Sequence, residues 1–381
     1  MGDLIGGESP LPPSRLRSRL LRRLGRVAAA YCVTKCYETW PELGPRYGLR
    51  GRQHLTRDAA WHLEHLDEAV DLGEPRLFDD YADWLTALLQ ARGIGPEQVA
   101  GAFGFLADAF EAAECPPKLE AERAVVVAIL RDNQLRLTAP AATLRRKLAI
   151  PSMKPKVKVS GTIKPGSDLQ RDYFDCLRDQ GRKGAFALAE SYVAGGGAIL
   201  DFYVDVLEPV LENTGSLWEG AQISSTQEHE ISEVTSEVIH RYGPTAWIDA
   251  PPSAPVAVVC CVPRERHRLG LMMVADALRA GELDVLIPDE SLTAQEIVDL
   301  VNRVDARMLC LSCTLALHLS DASELIALAR RSRPSLAIAI GGRALRDLGP
   351  GAAERLGADW TADNAREVRR SVSLWSQSLK T

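Results

Sequence analysis

The residues best suited to chemistry lie in one short segment, where Glu265 and His267 stand two positions apart after an apolar run, Val256 to Val262. A neutral imidazole is a good ligand for a transition metal, and its second ring nitrogen needs an acceptor that fixes the tautomer. Glu265 is placed to be that acceptor, with Ser312 as a further candidate partner. The segment therefore predicts a metal-ligating histidine held by a carboxylate.

Four apolar runs alternate with helical patterns and must position this pair. The runs are Val256–Val262, Leu283–Ile287, Arg307–Leu311 and Ser335–Ile340, and an amphipathic helix pattern, Leu271–Arg279, follows the first. This alternation predicts a flavodoxin-like, doubly wound parallel sheet over residues 254–376. Ligands of such sheets bind beyond the carboxyl ends of the strands, which is where Glu265 and His267 fall.

The spacing of the segment extends further along the chain. After Gly270 come 41 residues, then Ser312-Cys313-Thr314, then 26 residues, then Gly341-Gly342. This resembles the signature of cobalamin-binding domains over about residues 255 to 365. The resemblance implies a base-off cobalamin, in which the histidine replaces the cofactor's own dimethylbenzimidazole as lower cobalt ligand. The implied site residues are Glu265, His267, Gly270, Ser312, Thr314, Gly341 and Gly342.

The glycines of this signature would let the backbone pass close to a bulky ligand. The competing interpretation is a flavodoxin-like domain with a chance surface histidine and ordinary turn glycines.

Residues 168–250 carry four helical patterns that predict a four-helix bundle. The patterns are Asp168–Gln180, Lys183–Ala194, Ala198–Val210 and Ile223–His240. Trp218, followed by Glu228-His229, resembles the W-x9-E-H pattern of CarH-type cobalamin-dependent photoreceptors. The resemblance implies that the bundle caps the upper face of the corrin, with Trp218, Glu219, Glu228 and His229 as contacts. The plain structural alternative is that Trp218 belongs to the bundle core.

One position departs from the photoreceptor pattern. The family has a histidine after the tryptophan, which ligates cobalt once light has removed the adenosyl group, and this chain has Glu219. The upper ligand after illumination is therefore left open between His229 and water.

A further helical region precedes the bundle. Residues 25–150 predict an all-helical domain of globin-like size, after a flexible basic segment at 1–24. Its helical patterns are Arg15–Tyr37, Asp58–Leu72, Leu77–Ala91, Pro96–Ala113 and Leu119–Asn133. Five side chains are candidates to line a pocket for a planar chromophore, a haem or a bilin: Trp61, His62, His65, Tyr81 and Trp84. Satisfied core or surface residues are the alternative. No cysteine stands in a bilin-attachment motif, so a bilin would bind non-covalently.

Residues 151–167 are rich in proline, lysine and glycine and predict a linker. The chain of 381 residues carries a net charge of -6, which gives no argument for nucleic-acid binding. Its eight cysteines include Cys32 and Cys36 at helical spacing with no matching second pair, so we expect no zinc site. We expect a cytoplasmic protein, because no apolar run reaches membrane-spanning length.

Together the three regions resemble the photocobilins, photoreceptors that combine cobalamin with biliverdin. The resemblance implies a light sensor without enzyme activity, which binds adenosylcobalamin and biliverdin. Photolysis of the cobalt–carbon bond would then change domain packing and oligomeric state, and the signal would pass through self-association or an unknown effector protein. Two alternatives remain open: a corrinoid methyl carrier of a methyltransferase system, and a non-photochemical tetrapyrrole-binding sensor.

Overall fold

The structure is a computed structural model that describes residues 16–138 and 165–378. The chain divides between Ser160 and Gly161 into two compact units, and the short stretch Glu219–Ser225 groups with the first of them. The division falls within the linker predicted at 151–167, of which 151–164 lie outside the described residues. The parts of the N-terminal predictions at 1–15 and 139–150 also lie outside them.

The described part of the first unit is built from α-helices, which confirms the predicted helical N-terminal region. These are α1 (Arg19–Thr39), α2 (Leu43–Asp71), α3 (Arg76–Gln90), α4 (Pro96–Ala112) and α5 (Glu120–Thr138). Gly48, with φ of 58°, interrupts α2 near its start. The apolar stripes of the helices meet in a core that fully buries Phe78, Phe103 and Phe110, since only one face of each helix is apolar.

The flexible basic segment predicted for residues 1–24 is wrong for its last six residues, because α1 begins at Arg19. Ser18 caps this helix, its Oγ accepting from the Leu21 backbone N–H at 3.0 Å. The backbone N–H of Ser18 donates to the Asp67 carboxylate at 2.8 Å, which ties the start of α1 to α2. Leu20 and Leu21, which lie between Arg19 and Arg22, are buried, so this part of the basic segment packs against the core.

The second unit begins with a helical bundle. Its elements are α6 (Pro165–Ala194), α7 (Ile199–Phe202), a π-helical turn (Tyr203–Leu207), α8 (Glu208–Glu219) and α9 (Ser225–Tyr242). Gly181, with φ of 58°, breaks α6 between the two helices that the sequence predicts there. The helix predicted to end at Val210 instead continues through the π turn to Glu219.

Proline accounts for the π turn. Pro209 has no N–H, so the carbonyl of Asp205, four residues earlier, loses its helical partner. The side-chain amide of Gln170 donates to that carbonyl at 2.6 Å instead. The turn is therefore fixed by a specific bond from α6 rather than left as a flexible point.

A five-stranded parallel sheet follows, with strand order β2-β1-β3-β4-β5. The strands are β1 (Val256–Cys261), β2 (Asp284–Leu286), β3 (Met308–Ser312), β4 (Ala337–Gly341) and β5 (Trp360–Thr361). The helices that surround them are α10 (Leu269–Arg279), α11 (Ala294–Arg303), α12 (Leu319–Ser332), α13 (Arg343–Leu348), α14 (Ala352–Leu356) and α15 (Ala365–Ser378). The predicted doubly wound sheet is confirmed, with a fifth strand that the sequence did not reveal.

The register brings the predicted motif together. Cys261 of β1 pairs with Ser312 of β3, and Ser312 pairs with Gly341 of β4. The chain reverses direction in the sheet order beside β1, since β2 lies on one side of it and β3 on the other. Such a switch point is where open α/β sheets bind ligands.

Bundle and sheet share one core within the second unit, and a buried polar network joins them. Asp276 of α10 is 4% exposed. Its carboxylate accepts from the Tyr203 hydroxyl and from the Trp247 indole N–H, each at 2.8 Å. A buried carboxylate without such partners would be costly, so this network fixes how the bundle packs on α10.

A second junction contains a carboxyl with a raised pKa. Burial, together with the nearby charge of Glu212, raises the pKa of Glu208 to about 7, although Arg346 and the backbone N–H of Ala365 act in the opposite direction. Glu208 begins α8 and Ala365 begins α15. The carboxyl therefore titrates at a contact between bundle and sheet.

Replacing Glu208 with glutamine is expected to stabilise the second unit in alkaline buffer. A carboxyl whose pKa is raised on folding contributes stability below its unfolded pKa and loses it as the pH rises through the folded value. At pH 8 the variant should exceed the parent protein by about 1–2 kcal/mol, and the difference should vanish below about pH 4.5. Denaturant unfolding at both pH values measures this. A constant difference across the range would contradict the raised pKa.

Among residues 16–138 and 165–378, no helix is long and apolar enough to cross a membrane.

Candidate functional site

The centre of the site is the carboxylate of Glu265, which is 1% exposed although it lies in a loop. Its Oε1 accepts from the backbone N–H groups of Arg266 at 2.9 Å and His267 at 3.0 Å. Its Oε2 accepts from the backbone N–H groups of Thr314 and Leu315, both at 2.9 Å. The carboxylate thus joins the loop after β1 to the loop after β3, the two strands beside the switch point.

The fifth donor to this carboxylate is the predicted metal ligand. His267 Nδ1 lies 2.5 Å from Glu265 Oε1. An ionised carboxylate only accepts hydrogen bonds, so Nδ1 carries a proton, and in the neutral ring the lone pair lies on Nε2. The His267 side chain is 57% exposed. The imidazole is therefore fixed on its inner side and accessible on its outer side, as a ligating histidine must be.

The electrostatics agree with an ionised Glu265. Burial alone would raise the pKa of Glu265, but its hydrogen bonds to His267 and to backbone N–H groups lower it to about 2. The bond to Glu265 raises the pKa of His267 above its ordinary value, and the charge of Glu228 contributes in the same direction. Glu228, the bundle residue that the sequence predicts at the cobalamin site, thus favours the charged form of the His267 imidazole.

Ser312, predicted as a further partner of the pair, does not take that place. Its main chain lies in β3, where its carbonyl accepts from the Val262 N–H at 3.0 Å. The donors to Glu265 from this region are the N–H groups of Thr314 and Leu315. Thr314 therefore joins the site through its backbone N–H. Backbone donors leave no mark in a side-chain pattern, which is why the sequence did not indicate Leu315.

The three motif glycines have different physical reasons. A Cβ on Gly342, whose φ is 111°, would lie 2.2 Å from the Cys313 carbonyl oxygen, and a Cβ on Gly341 would lie 2.7 Å from the Ala362 carbonyl oxygen. At both positions only glycine fits, because the backbone of another segment passes too close to leave room for a Cβ. A Cβ on Gly270 would meet nothing within 4 Å. Of the three, Gly270 alone borders open space beside His267, so it fits the role of admitting a bulky ligand.

The bundle residues predicted at the site differ in exposure. Trp218 is half-buried near the end of α8. The Glu228 side chain is 27% exposed and accepts from Ser232 Oγ at 2.9 Å, while the adjacent His229 side chain is 71% exposed. Glu228 is thus held in place on α9, and His229 is directed to solvent.

Glu219 lies in the stretch that groups with the first unit. Its Oε1 accepts from the indole N–H of Trp84 at 3.0 Å, and its carbonyl accepts from Arg92 at 3.0 Å. Trp84, a predicted chromophore contact, and Glu219, a predicted cobalamin contact, are thus hydrogen-bonded to each other.

The five aromatic and histidine candidates of the first unit form one cluster around Tyr81. His62 Nδ1 lies 2.7 Å from the Tyr81 hydroxyl, and the His65 ring stacks on Tyr81 with 3.7 Å between centroids. Trp61 contacts His65 edge-on, and Trp84 lies 6.1 Å from Tyr81 between centroids. Burial lowers the pKa of His62 to about 4, so this imidazole is neutral. The rings pack on one another, and His62 and Tyr81 are 5% and 6% exposed.

Three residues near Glu265 were not indicated by sequence. Arg264, directly before it, has a positive φ of 72°. Its Nε donates to Asp321 Oδ2 at 2.7 Å. His318 is 6% exposed. The sequence signal for them is weak, since a charged residue in a loop and another in the first turn of a helix are common.

Residues 255–369 match the family model described as the B12 binding domain, and residues 169–242 match a second model of the same description. No curated protein matches the chain.

Three solved structures are similar to part of the chain. The Methanosarcina barkeri monomethylamine corrinoid protein is 18% identical, with a TM-score of 0.49, over 55% of this chain and 99% of its own. A cobalamin-binding protein from Desulfitobacterium hafniense DCB-2 is 18% identical, with a TM-score of 0.30, over 55% and 98%. The methanol:cobalamin methyltransferase complex MtaBC of Methanosarcina barkeri is 14% identical, with a TM-score of 0.30, over 62% and 92%. The two family matches, over the bundle and the sheet, support a cobalamin-binding protein.

Proposed function

We propose that the protein is a light sensor that binds adenosylcobalamin in its base-off form, with His267 Nε2 as the lower cobalt ligand. The observation that carries the cobalamin part is the bond from His267 Nδ1 to Glu265, which leaves Nε2 as the ring nitrogen with a lone pair. The four backbone N–H groups on the same carboxylate keep it ionised and immobile. A histidine prepared in this way needs little reorganisation to bind a metal.

The residues around His267 fit a large planar cofactor. The exposed imidazole and the open space at Gly270 leave room beside the carboxyl ends of β1 and β3. Glu228 of α9 carries a charge close enough to raise the pKa of His267, so the bundle supplies a polar group on this side. We propose that Trp218 and Glu228 contact the upper axial group and exclude water from it.

The light-sensing part of the proposal rests on the W-x9-E-H pattern and on the extra helical unit. Adenosylcobalamin, when bound, would supply a cobalt–carbon bond that visible light breaks. We propose that loss of the adenosyl group removes the contact that holds Trp218, alters the packing of the bundle and changes the oligomeric state. A partner protein would read this change.

We further propose that the cluster around Tyr81 binds biliverdin non-covalently. Supporting this are the stacked His65 and Tyr81 rings and the neutral, buried His62, since flat faces and hydrogen-bonding rings suit an open-chain tetrapyrrole. The bond of Trp84 to Glu219 leaves the indole face, not its N–H, for such a ligand.

Reconstitution in the dark tests these proposals. The protein is loaded with adenosylcobalamin and biliverdin, and its absorption spectrum and elution volume are measured before and after green light. We expect a stable cob(III)alamin spectrum, a retained far-red bilin band and a shifted elution volume. Methylcobalamin and haem serve as matched controls for the upper group and the tetrapyrrole.

Other results would identify other functions. Tight cobalamin binding without a protein-specific photoproduct, together with methyl transfer from methylcobalamin, would favour the corrinoid methyl carrier. Retention of haem but not biliverdin would favour a non-photochemical tetrapyrrole sensor. Identical elution volumes in dark and light with adenosylcobalamin bound would contradict the oligomer switch.

A further inference from the structure

We propose that Arg264 and Asp321 form a clamp that positions the Glu265–His267 pair, and that without it His267 is no longer held in a ligating orientation. This inference rests on the proposed role of His267. It adds two residues that contact neither the imidazole nor its carboxylate partner through a hydrogen bond described in the structure.

The first observation is the backbone of Arg264. Its φ of 72° lies in the left-handed region, which L side chains with a Cβ adopt at an energetic cost. Glycine would occupy this position without strain. A strained residue persists only where its surroundings hold it, and such residues gather at functional sites. The strained residue here directly precedes Glu265.

The second observation is what holds Arg264. Its Nε and Nη2 both approach one oxygen, Asp321 Oδ2, at 2.7 and 2.6 Å. Asp321 lies in the first turn of α12, where the helix dipole favours a carboxylate. The side chains of Arg264 and Asp321 are only 30% and 15% exposed, so water screens the pair weakly. The ion pair anchors the strained residue to a rigid helix.

The third observation is the shape of the loop from Arg264 to His267, which the ion pair holds. The turn from Arg264 to His267 must fold back so that the Glu265 carboxylate receives the N–H groups of Arg266 and His267. The left-handed conformation at Arg264 begins that reversal. The loop after β3, which donates to the same carboxylate, runs on to the start of α12 and hence to Asp321. The clamp therefore fixes both loops that meet at Glu265.

Buried His318 completes the surroundings. Its Nδ1 lies 4.0 Å from Asp321 Oδ2, too far for a hydrogen bond. Burial lowers the pKa of His318 to about 4, so the ring is neutral and does not compete for the carboxylate. His318 therefore adds no charge-assisted hydrogen bond to Asp321, whose carboxylate accepts from Arg264.

The test uses the full chain with two replacements, Arg264→Ala and Asp321→Asn. In the protein without cofactor, hydrogen exchange is measured at the four backbone amides that donate to Glu265. In the complex, the electron paramagnetic resonance spectrum of the cob(II)alamin form reports nitrogen ligation of cobalt. We expect amide exchange to accelerate at least tenfold, cobalamin to bind about tenfold more weakly, and the nitrogen splitting to weaken or disappear, as for outer-shell partners of other metal ligands.

Two further variants separate the clamp from general stability. Arg264→Gly removes the backbone strain together with the clamp, so it should fold at least as well as Arg264→Ala and still lose the nitrogen splitting. Arg333→Ala is the matched control: Arg333 directly follows α12 and pairs with Asp305, another residue with positive φ, which precedes the amino end of β3. It should change neither readout.

Amide exchange within twofold of the parent protein, with an unchanged spectrum, in both replacements would overturn the clamp. A parent protein that shows no nitrogen ligation would instead contradict the proposed role of His267, and the exchange measurement would still test the clamp.

Discussion

Replacing His267 with alanine is expected to abolish nitrogen ligation of the bound cobalt and to weaken cobalamin binding by more than 100-fold. Loss of an outer-shell partner costs a metal site 10- to 100-fold in affinity, and loss of the ligand itself should exceed that. Glu265 cannot take the place of the imidazole, because its carboxylate is buried and accepts from four backbone N–H groups. Equilibrium titration with adenosylcobalamin, followed by absorption, measures both effects.

A matched control is His240→Ala. His240 is an exposed residue of α9 whose Nδ1 lies 2.8 Å from the Ser236 carbonyl oxygen. It should bind cobalamin as the parent protein does. If His267→Ala retained the spectrum of nitrogen-ligated cobalt, another residue would be the lower ligand and the proposed site would be wrong.

The second large effect is expected for Glu265→Gln, which keeps the size of the side chain and removes its charge. The carboxylate offers two acceptor oxygens, and each receives N–H groups. An amide has one oxygen, so its NH2 group must face at least two donors in a buried place. We expect a loss of about 3 kcal/mol of unfolding free energy at pH 7 and a reduced share of nitrogen-ligated cobalt.

The pH dependence gives this prediction its sign. A carboxyl whose pKa falls on folding contributes stability above its unfolded pKa, and that stability is lost as the pH drops through the folded value. The pKa of Glu265 in the folded protein is about 2. The difference between parent and variant should therefore be largest between about pH 4.5 and 6.5 and shrink towards pH 2. It should also decline as the pH rises through the raised pKa of His267, because the variant lacks the carboxylate that raises it. Glu290→Gln, at a partly exposed pair with Arg268, is the control. A difference that does not change with pH would show that the charge is not the cause.

The fold was largely predictable because its signals are local. The alternation of apolar runs with helical patterns predicts the sheet, and Gly181 marks the break in α6 where the structure has it. The continuation of the helix to Glu219 was not predicted, because a proline such as Pro209 usually ends a helix. Here the side chain of Gln170, far away in sequence, donates to the Asp205 carbonyl that loses its partner at the proline. The two-residue strand β5 has too few residues to show a period.

The sequence predicted only those contacts of the site that are made by side chains close together in the sequence. The pairing of Glu265 with His267 follows from their spacing, and the structure has it. Thr314 and Leu315 act through backbone N–H groups, which every residue except proline possesses, so no pattern of residue types reveals them. The contact of Arg264 with Asp321 spans 57 positions and depends on a left-handed backbone, so it too required coordinates.

The close approach of the backbone at Gly342 affects what its presence in related domains can indicate about function. Any other residue there would press on the Cys313 carbonyl with or without a cofactor, so selection for folding alone suffices to keep the glycine. His267 is exposed and spans no core, so a descendant that abandoned the cofactor could lose it freely. The double glycine is thus a mark of ancestry, and His267 is a mark of present use. Genome surveys that give the glycines and the histidine equal weight would count domains that no longer bind the cofactor as cofactor-binding domains.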